Sequence, residues 1–386
     1  MSTLTHDIDV PPPPGAPANP QPHNGGAWHV TWHGVRTVAA LELRQRVRST
    51  RWIVALIVWF VVVGGLTLLN SGAINALSSS AGASASRGPL LFSSVLMLVL
   101  GLGLLVTPTL SSTSINGDRN AGTLATLQVT LLSPAEIVLG KLLAAWAASL
   151  AFLVASLPFL LLGVLMGGTP ALSFVVAVLL TAVLLACVCA IGVGWSALVA
   201  RTAGSTLLTF LTIAATTLIA PLVFVLTLGT GMVSQTEDVR TWSNVPTDDM
   251  TSGAPECAWV TRTTTQLHTE RTWWLLAANP LVIVADGAGS GHDAGWYTST
   301  FDPLSGIRLG VRELRAGPAA EENQCHDYDD WTLVTDSPVA ERDPQKSPVW
   351  PWGLGVNLLL GAAGVVTAVR RLRVPQRTLA RGTRVA

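Results

Sequence analysis

The sequence predicts an all-α integral membrane protein: six transmembrane helices, a cytoplasmic amphipathic helix ahead of the first, and a large extracytoplasmic domain between helices five and six. Three observations lead there. Hydrophobic residues make up 49% of the 386 and charged residues only 12%, against about 25% charged in an ordinary soluble domain. The mean hydropathy is +0.49. The charges gather at the two ends and in one long loop, leaving six apolar stretches between them.

Residues 1–27 are polar and proline-rich, including Pro11 to Pro14. They read as a disordered cytoplasmic tail without the apolar run of a secretory signal. Over 28–51, Trp28, Trp32, Val35, Ala39 and Leu43 fall on one helical face, with Arg36, Arg44, Arg48 and Arg51 largely opposite. Glu42 and Arg46 interrupt this pattern. The segment fits an interfacial helix with arginines toward anionic lipid, or a basic flank that only fixes topology.

The apolar stretches lie at about 52–69, 89–110, 137–166, 170–199, 205–233 and 352–369, each near the roughly 20 residues that cross a hydrocarbon core. Pro108, Pro158 and Pro221 fall inside them and are expected to kink the helices. Gly167 and Gly168 mark a tight turn between helices three and four. The chain thus divides into a 1–27 tail, a 28–51 interfacial helix, helices one to five over 52–233, an extracytoplasmic domain over 234–350, helix six over 351–369 and a basic cytoplasmic tail over 370–386.

Arginine and lysine set the orientation. They cluster before helix one, between helices two and three and after helix six, whereas the opposite short loops carry Arg87 alone. Both termini are therefore expected in the cytoplasm, and the chain in the cytoplasmic membrane. The 234–350 loop holds 18 of the 23 acidic and 8 of the 23 basic residues, a formal charge of minus 10. Within it, 273–285 is apolar but too short to span. It reads as a helix at the outer leaflet or as the core of the outer domain. At 307–318, Arg308, Arg312 and Arg315 share a face, as on an exposed helix against headgroups or paired with the acidic loop.

The net charge of zero argues against a nucleic-acid partner, which needs a basic field. Within the apolar stretches the ionisable side chains are Lys141 and the pair Cys187 and Cys189, so the intramembrane charges of an ion-coupled carrier are missing. Nothing matches a phosphate-cradling loop. No catalytic constellation or metal set emerges: His268 with Glu270 and His292 with Asp293 lack a third member, and Cys325 to Asp330 reads as solvated acidic surface. Cys187 and Cys189 read as buried apolar residues. Cys257 and Cys325 both lie in the outer loop and either form a disulfide or remain two thiols. Thr206, Thr209, Thr212, Thr216 and Thr217 either line a cavity or bond to the preceding helical turn.

The informative segment is 111–136 with its continuation. Asp118, Arg119, Gly122 and Thr123 open it, Leu124, Leu127 and Leu131 follow at helical spacing, and Glu136, Ile137, Gly140 and Lys141 enter helix three. This pattern resembles the permeases of the ABC-2 family. Asn120 stands where that family usually has a second acid, and Pro134 and Ala135 where basic residues are frequent. The six-helix layout and Asn279-Pro280 in the outer segment extend the resemblance.

The resemblance implies a coupling helix after helix two that seats on an ABC ATP-binding subunit. The implied contacts are Asp118, Arg119, Gly122, Thr123, Leu124, Leu127 and Glu136. It further implies a non-catalytic permease of an exporter, paired with a second permease chain, identical or homologous. ATP and Mg would sit on the partner subunit and no cofactor on this chain. The rival expectation is a membrane-anchored binding or assembly protein acting through its acidic loop.

Overall fold

The computed structural model describes residues 26–81, 87–122, 132–245, 256–289, 302–325, 338 and 347–373. Within them, six helices are long and apolar enough to cross a membrane: Thr50–Ala76, Arg87–Asn120, Pro134–Leu165, Ala171–Leu198, Thr202–Gly229 and Trp350–Arg371. These are spans one to six. The 1–25 tail and the 374–386 tail lie outside the described residues.

Helix α1 (Trp32–Val47) precedes span one and is capped by Thr31, whose hydroxyl accepts the Gly34 N–H at 3.2 Å. Its buried face is Gly34, Val35, Val38 and Ala39, while Trp32 is 72% exposed. The stripe read from the sequence is therefore rotated, because α1 packs on span three rather than standing free. Gly140 of span three permits this: a Cβ there would sit 2.6 Å from the Val38 side chain. Small residues let helices approach where lipid offers no hydrophobic drive to associate.

Span one is α2 (Thr50–Ala81). Span two comprises α3 (Arg87–Ser111) and, after a short turn, α4 (Asn116–Asn120). Spans three and four are α5 (Pro134–Leu165) and α6 (Ala171–Leu198), joined through Gly167 and Gly168 at φ 89° and 81°. Span six is α12 (Trp350–Arg371). Spans four and six meet backbone to backbone, since a Cβ on Gly194 would lie 2.5 Å from the Gly364 Cα. The largest core runs through Val63, Leu96, Leu100, Leu160 and Leu184.

Pro108 and Pro158 lie inside continuous α3 and α5. Pro221 behaves differently: span five is α7 (Thr202–Ala214), a π-helical turn (Ala215–Ile219) and α8 (Ala220–Gly229). The five threonines singled out in the sequence all donate to carbonyls of the preceding turn, at 2.7 to 3.0 Å.

Between spans five and six the chain adds a small sheet that the sequence reading did not foresee. Strands β1 (Ser234–Val245) and β2 (Glu256–Leu267) pair antiparallel, and β3 (Glu321–Gln324) runs parallel to β1 on its other edge. Trp242 and Trp259 stand directly opposite and meet edge to face at 5.4 Å, the kind of cross-strand pair that stabilises a ladder. Cys257 and Cys325 are joined as a disulfide with Cα atoms 5.9 Å apart.

The 273–285 stretch is two helices, α9 (Trp274–Ala277) and α10 (Pro280–Ala288), broken at Asn279, whose side chain accepts the Leu281 N–H at 2.9 Å. Helix α10 packs on span four, and its Ile283, Val284 and Ala285 join the main core. Helix α11 (Pro303–Ala316) decides between the two expectations for it: Arg312 is buried and paired within the acidic 234–350 segment, so the exposed-helix reading gives way. The helix lies against α10, and Asp286 there draws the arginine inward.

Candidate functional site

At the end of the bundle where α1 lies, three chain segments converge on Lys141. The residue sits in the second turn of α5 and is 1% exposed. Its ammonium bonds Glu42 of α1 and, at 2.5 Å, Asp118 of α4. A buried charge is tolerated only when paired, and here the pairing carries the geometry. One lysine ties the helix before span one and the stub that ends span two to the start of span three.

One turn earlier, Glu136 makes a second tie. Ser133 caps α5, its hydroxyl accepting the Glu136 N–H at 3.1 Å while Glu136 Oε2 accepts the Ser133 N–H at 2.8 Å. This is a capping box, which satisfies two helix-end donors reciprocally. The other oxygen, Oε1, accepts the Thr31 N–H at 2.8 Å and the Thr31 hydroxyl. The same carboxylate therefore closes the starts of both α5 and α1. Gly34 leaves it room, since a Cβ there would be 2.7 Å from the Glu136 carboxyl carbon.

The turn into α4 is fixed from spans four and five. Ser196 Oγ accepts the N–H groups of Ile115 and Asn116 at 3.0 and 3.1 Å. The Asn116 amide donates to Ser205 Oγ at 2.7 Å, and the Ser205 hydroxyl donates to the Ser112 carbonyl at 2.7 Å. Arg46 of α1 reaches the Leu110 carbonyl at 3.0 Å. Helix α4 ends at Gly122, exposed and at φ 73°, a conformation that favours glycine.

Of the residues singled out in the sequence, Asp118, Glu136 and Lys141 come together here, with Arg119 half-buried beside Asp118 on α4 and Gly122 at its end. Thr123, Leu124 and Leu127, with Leu131, lie outside the described residues. So do His292 with Asp293, and 326–337, the acidic run after Cys325. Glu42, read in the sequence as a flaw in an apolar stripe, is a partner of Lys141. Thr31, Asn116, Ser196 and Ser205 were not singled out. The spacing Ser133-x-x-Glu136 was the one local signal available for this junction.

The opposite end has its own buried charge. Asp286 of α10 bonds the Arg312 Nε at 2.5 Å, and its other oxygen accepts the N–H groups of Val349 and Trp350 at 2.6 and 2.7 Å. A carboxylate at a helix N-terminus meets free donors and the positive end of the dipole, so Asp286 caps span six. Asp302 caps α11 through the Leu304 N–H at 3.3 Å and accepts the Ser93 hydroxyl from span two. His268 pairs with Glu270 at 2.8 Å and lies 3.5 Å from Glu237. Among the described residues, no group of three or more His, Cys, Asp or Glu side chains is placed to hold a metal ion.

Residues 36–282 match the model of the ABC-2 family transporter protein. No curated protein matches the chain. The matched region runs from within α1 through all of spans one to five to the start of α10, well over half of the sequence. The chain belongs to the ABC-2 transporter family: a multi-pass membrane protein and the membrane subunit of an ABC transporter.

Proposed function

We propose that this subunit is the permease of an exporter in the cytoplasmic membrane, moving its substrate outward on ATP hydrolysed, with Mg, by a separate ATP-binding subunit. Two permease chains, identical or homologous, form the pathway, with both termini and the Lys141 junction on the cytoplasmic side. The segment from Asp118 to Glu136 then carries the contacts to the ATP-binding subunit, through Asp118, Arg119, Gly122, Thr123, Leu124, Leu127 and Glu136.

The observation that supports this reading is the double tie at the head of span three. Lys141 and Glu136 join α1, α4 and α5 through charged and capping bonds. A push delivered to the 118–136 segment therefore reaches spans two and three together instead of bending a free loop. The basic residues before span one and after span six support a cytoplasmic position for this end.

Copurification with the ATP-binding subunit, followed by ATP hydrolysis in lipid, tests the assignment. Gly122→Val strains a positive φ, and Leu124→Asp and Leu127→Asp spoil an apolar contact face. Each is expected to weaken the complex or to lower hydrolysis several-fold. Unchanged assembly and hydrolysis in all three variants would remove the contact assignment. Thiol labelling of a cysteine placed at Gly122 from one side of oriented vesicles reads the topology.

A further inference from the structure

Of the three prolines inside spans, Pro221 alone follows a π-helical turn, in which the Ala220 N–H reaches back to the Ala215 carbonyl. In an α-helix the N–H of residue 221 would donate to the carbonyl of Thr217. Proline has none to give. Instead, the Asn279 amide donates to that carbonyl at 3.2 Å from the break between α9 and α10. Thr216 and Thr217 add their hydroxyls to the Ile213 carbonyl at 3.0 and 2.7 Å in the same turn.

The orientation of the Asn279 amide is determined on both sides. Its oxygen accepts the Leu281 N–H and its nitrogen faces a carbonyl; flipping it would set donor against donor and acceptor against acceptor. The side chain is 6% exposed. Asn357 of span six grips the same turn by donating to the Ala278 carbonyl at 3.0 Å. Two amide side chains and one tight turn thus bridge spans five and six. Span five is the least buried of the six, far less so than span four. Few packing contacts compete with a local bond for control of its bend.

We propose that Asn279 is a positioning residue for span five: it supplies the donor that Pro221 lacks and so fixes the π joint to the α9–α10 turn, making the outer helices and the bend of span five move as one body. This does not depend on the direction of transport or on the ATP-binding partner, because it is read on the chain alone.

The test is amide hydrogen exchange of the full chain in lipid nanodiscs, comparing Asn279→Ser, Pro221→Ala and the double variant. Serine retains the capping oxygen for Leu281 but is too short to reach Thr217. Asn279→Ser is expected to speed exchange at Leu218, Ile219, Ala220 and Leu222 by roughly five-fold, the worth of one hydrogen bond, with α5 unchanged. Pro221→Ala restores the helical donor, so in that background the serine substitution should alter exchange by under about two-fold. Equal acceleration in both backgrounds, or none in either, overturns the proposal. If Asn279→Ser alone fails to fold, recovery of monodisperse chain by Pro221→Ala supports it and failure of that rescue overturns it.

Discussion

The two ends of the bundle solve one problem with different parts. At the α1 end, Glu136 caps the starts of α5 and α1, and the neighbouring Lys141 draws in Glu42 and Asp118. At the opposite end a single carboxylate, Asp286, both caps span six and holds Arg312. Capping and charge pairing are divided between two residues in the first case and fused in the second. The divided arrangement leaves Glu42 and Asp118 17% and 28% exposed, within reach of solvent and of whatever meets the 118–136 segment. The fused one is sealed, with Asp286 at 0% and Arg312 at 8%. The α1-end junction keeps some of its charge wet, as the proposed contact with an ATP-binding subunit would require. The Asp286 junction does not.

The largest expected effect breaks the sealed end. Asp286→Ala takes the carboxylate from a buried guanidinium and from two helix-end donors, and should cost about 3–5 kcal/mol, read as a loss of folded chain in thermal unfolding in detergent. Next comes the sheet beside it: Cys257→Ser with Cys325→Ser opens a 68-residue loop and should lower the stability of the strands by about 2–4 kcal/mol. Strand amides in hydrogen exchange would show it, with spans two to four unmoved. Third, Lys141→Met leaves two partly solvated carboxylates facing an apolar side chain. About 1–3 kcal/mol is expected, less than for a sealed pair because water screens what remains, and Glu42→Gln in the same chain should recover part of it in the melting temperature. The smallest is Ser133→Ala, which removes the N-cap hydroxyl of α5 at about 0.5–2 kcal/mol. Asp286→Ala costing no more than Lys141→Met would erase the distinction between sealed and wet ends.

The sequence made the α1 end more legible than the other, for physical reasons. Ser133 and Glu136 are three residues apart, so their capping signature is local, and the turn at Gly122 declares itself through glycine. The six spans follow from length and apolarity alone. Asp286, Arg312 and Val349 are distant in the chain, and nothing in an arginine stripe at 308–315 says that one member is turned inward. Glu42 looked like an interruption of an amphipathic face because its partner lies 99 residues away. The β1–β2 ladder was hidden for another reason: its threonine-rich strands lie in a loop whose acidic charge dominates any reading of it.

The contact between Gly194 and Gly364 bears on how this bundle tolerates inheritance. With the spans four and six backbones this close, even an alanine at either position has no space to enter, since a Cβ on Gly364 would lie 2.5 Å from the Ala190 carbonyl oxygen. Exposed positions such as Leu218 or Leu359 have space for other aliphatic side chains. These two glycines are a narrow gate in sequence space, where a methyl group acts as a wedge that neither helix can absorb by repacking its own side chains.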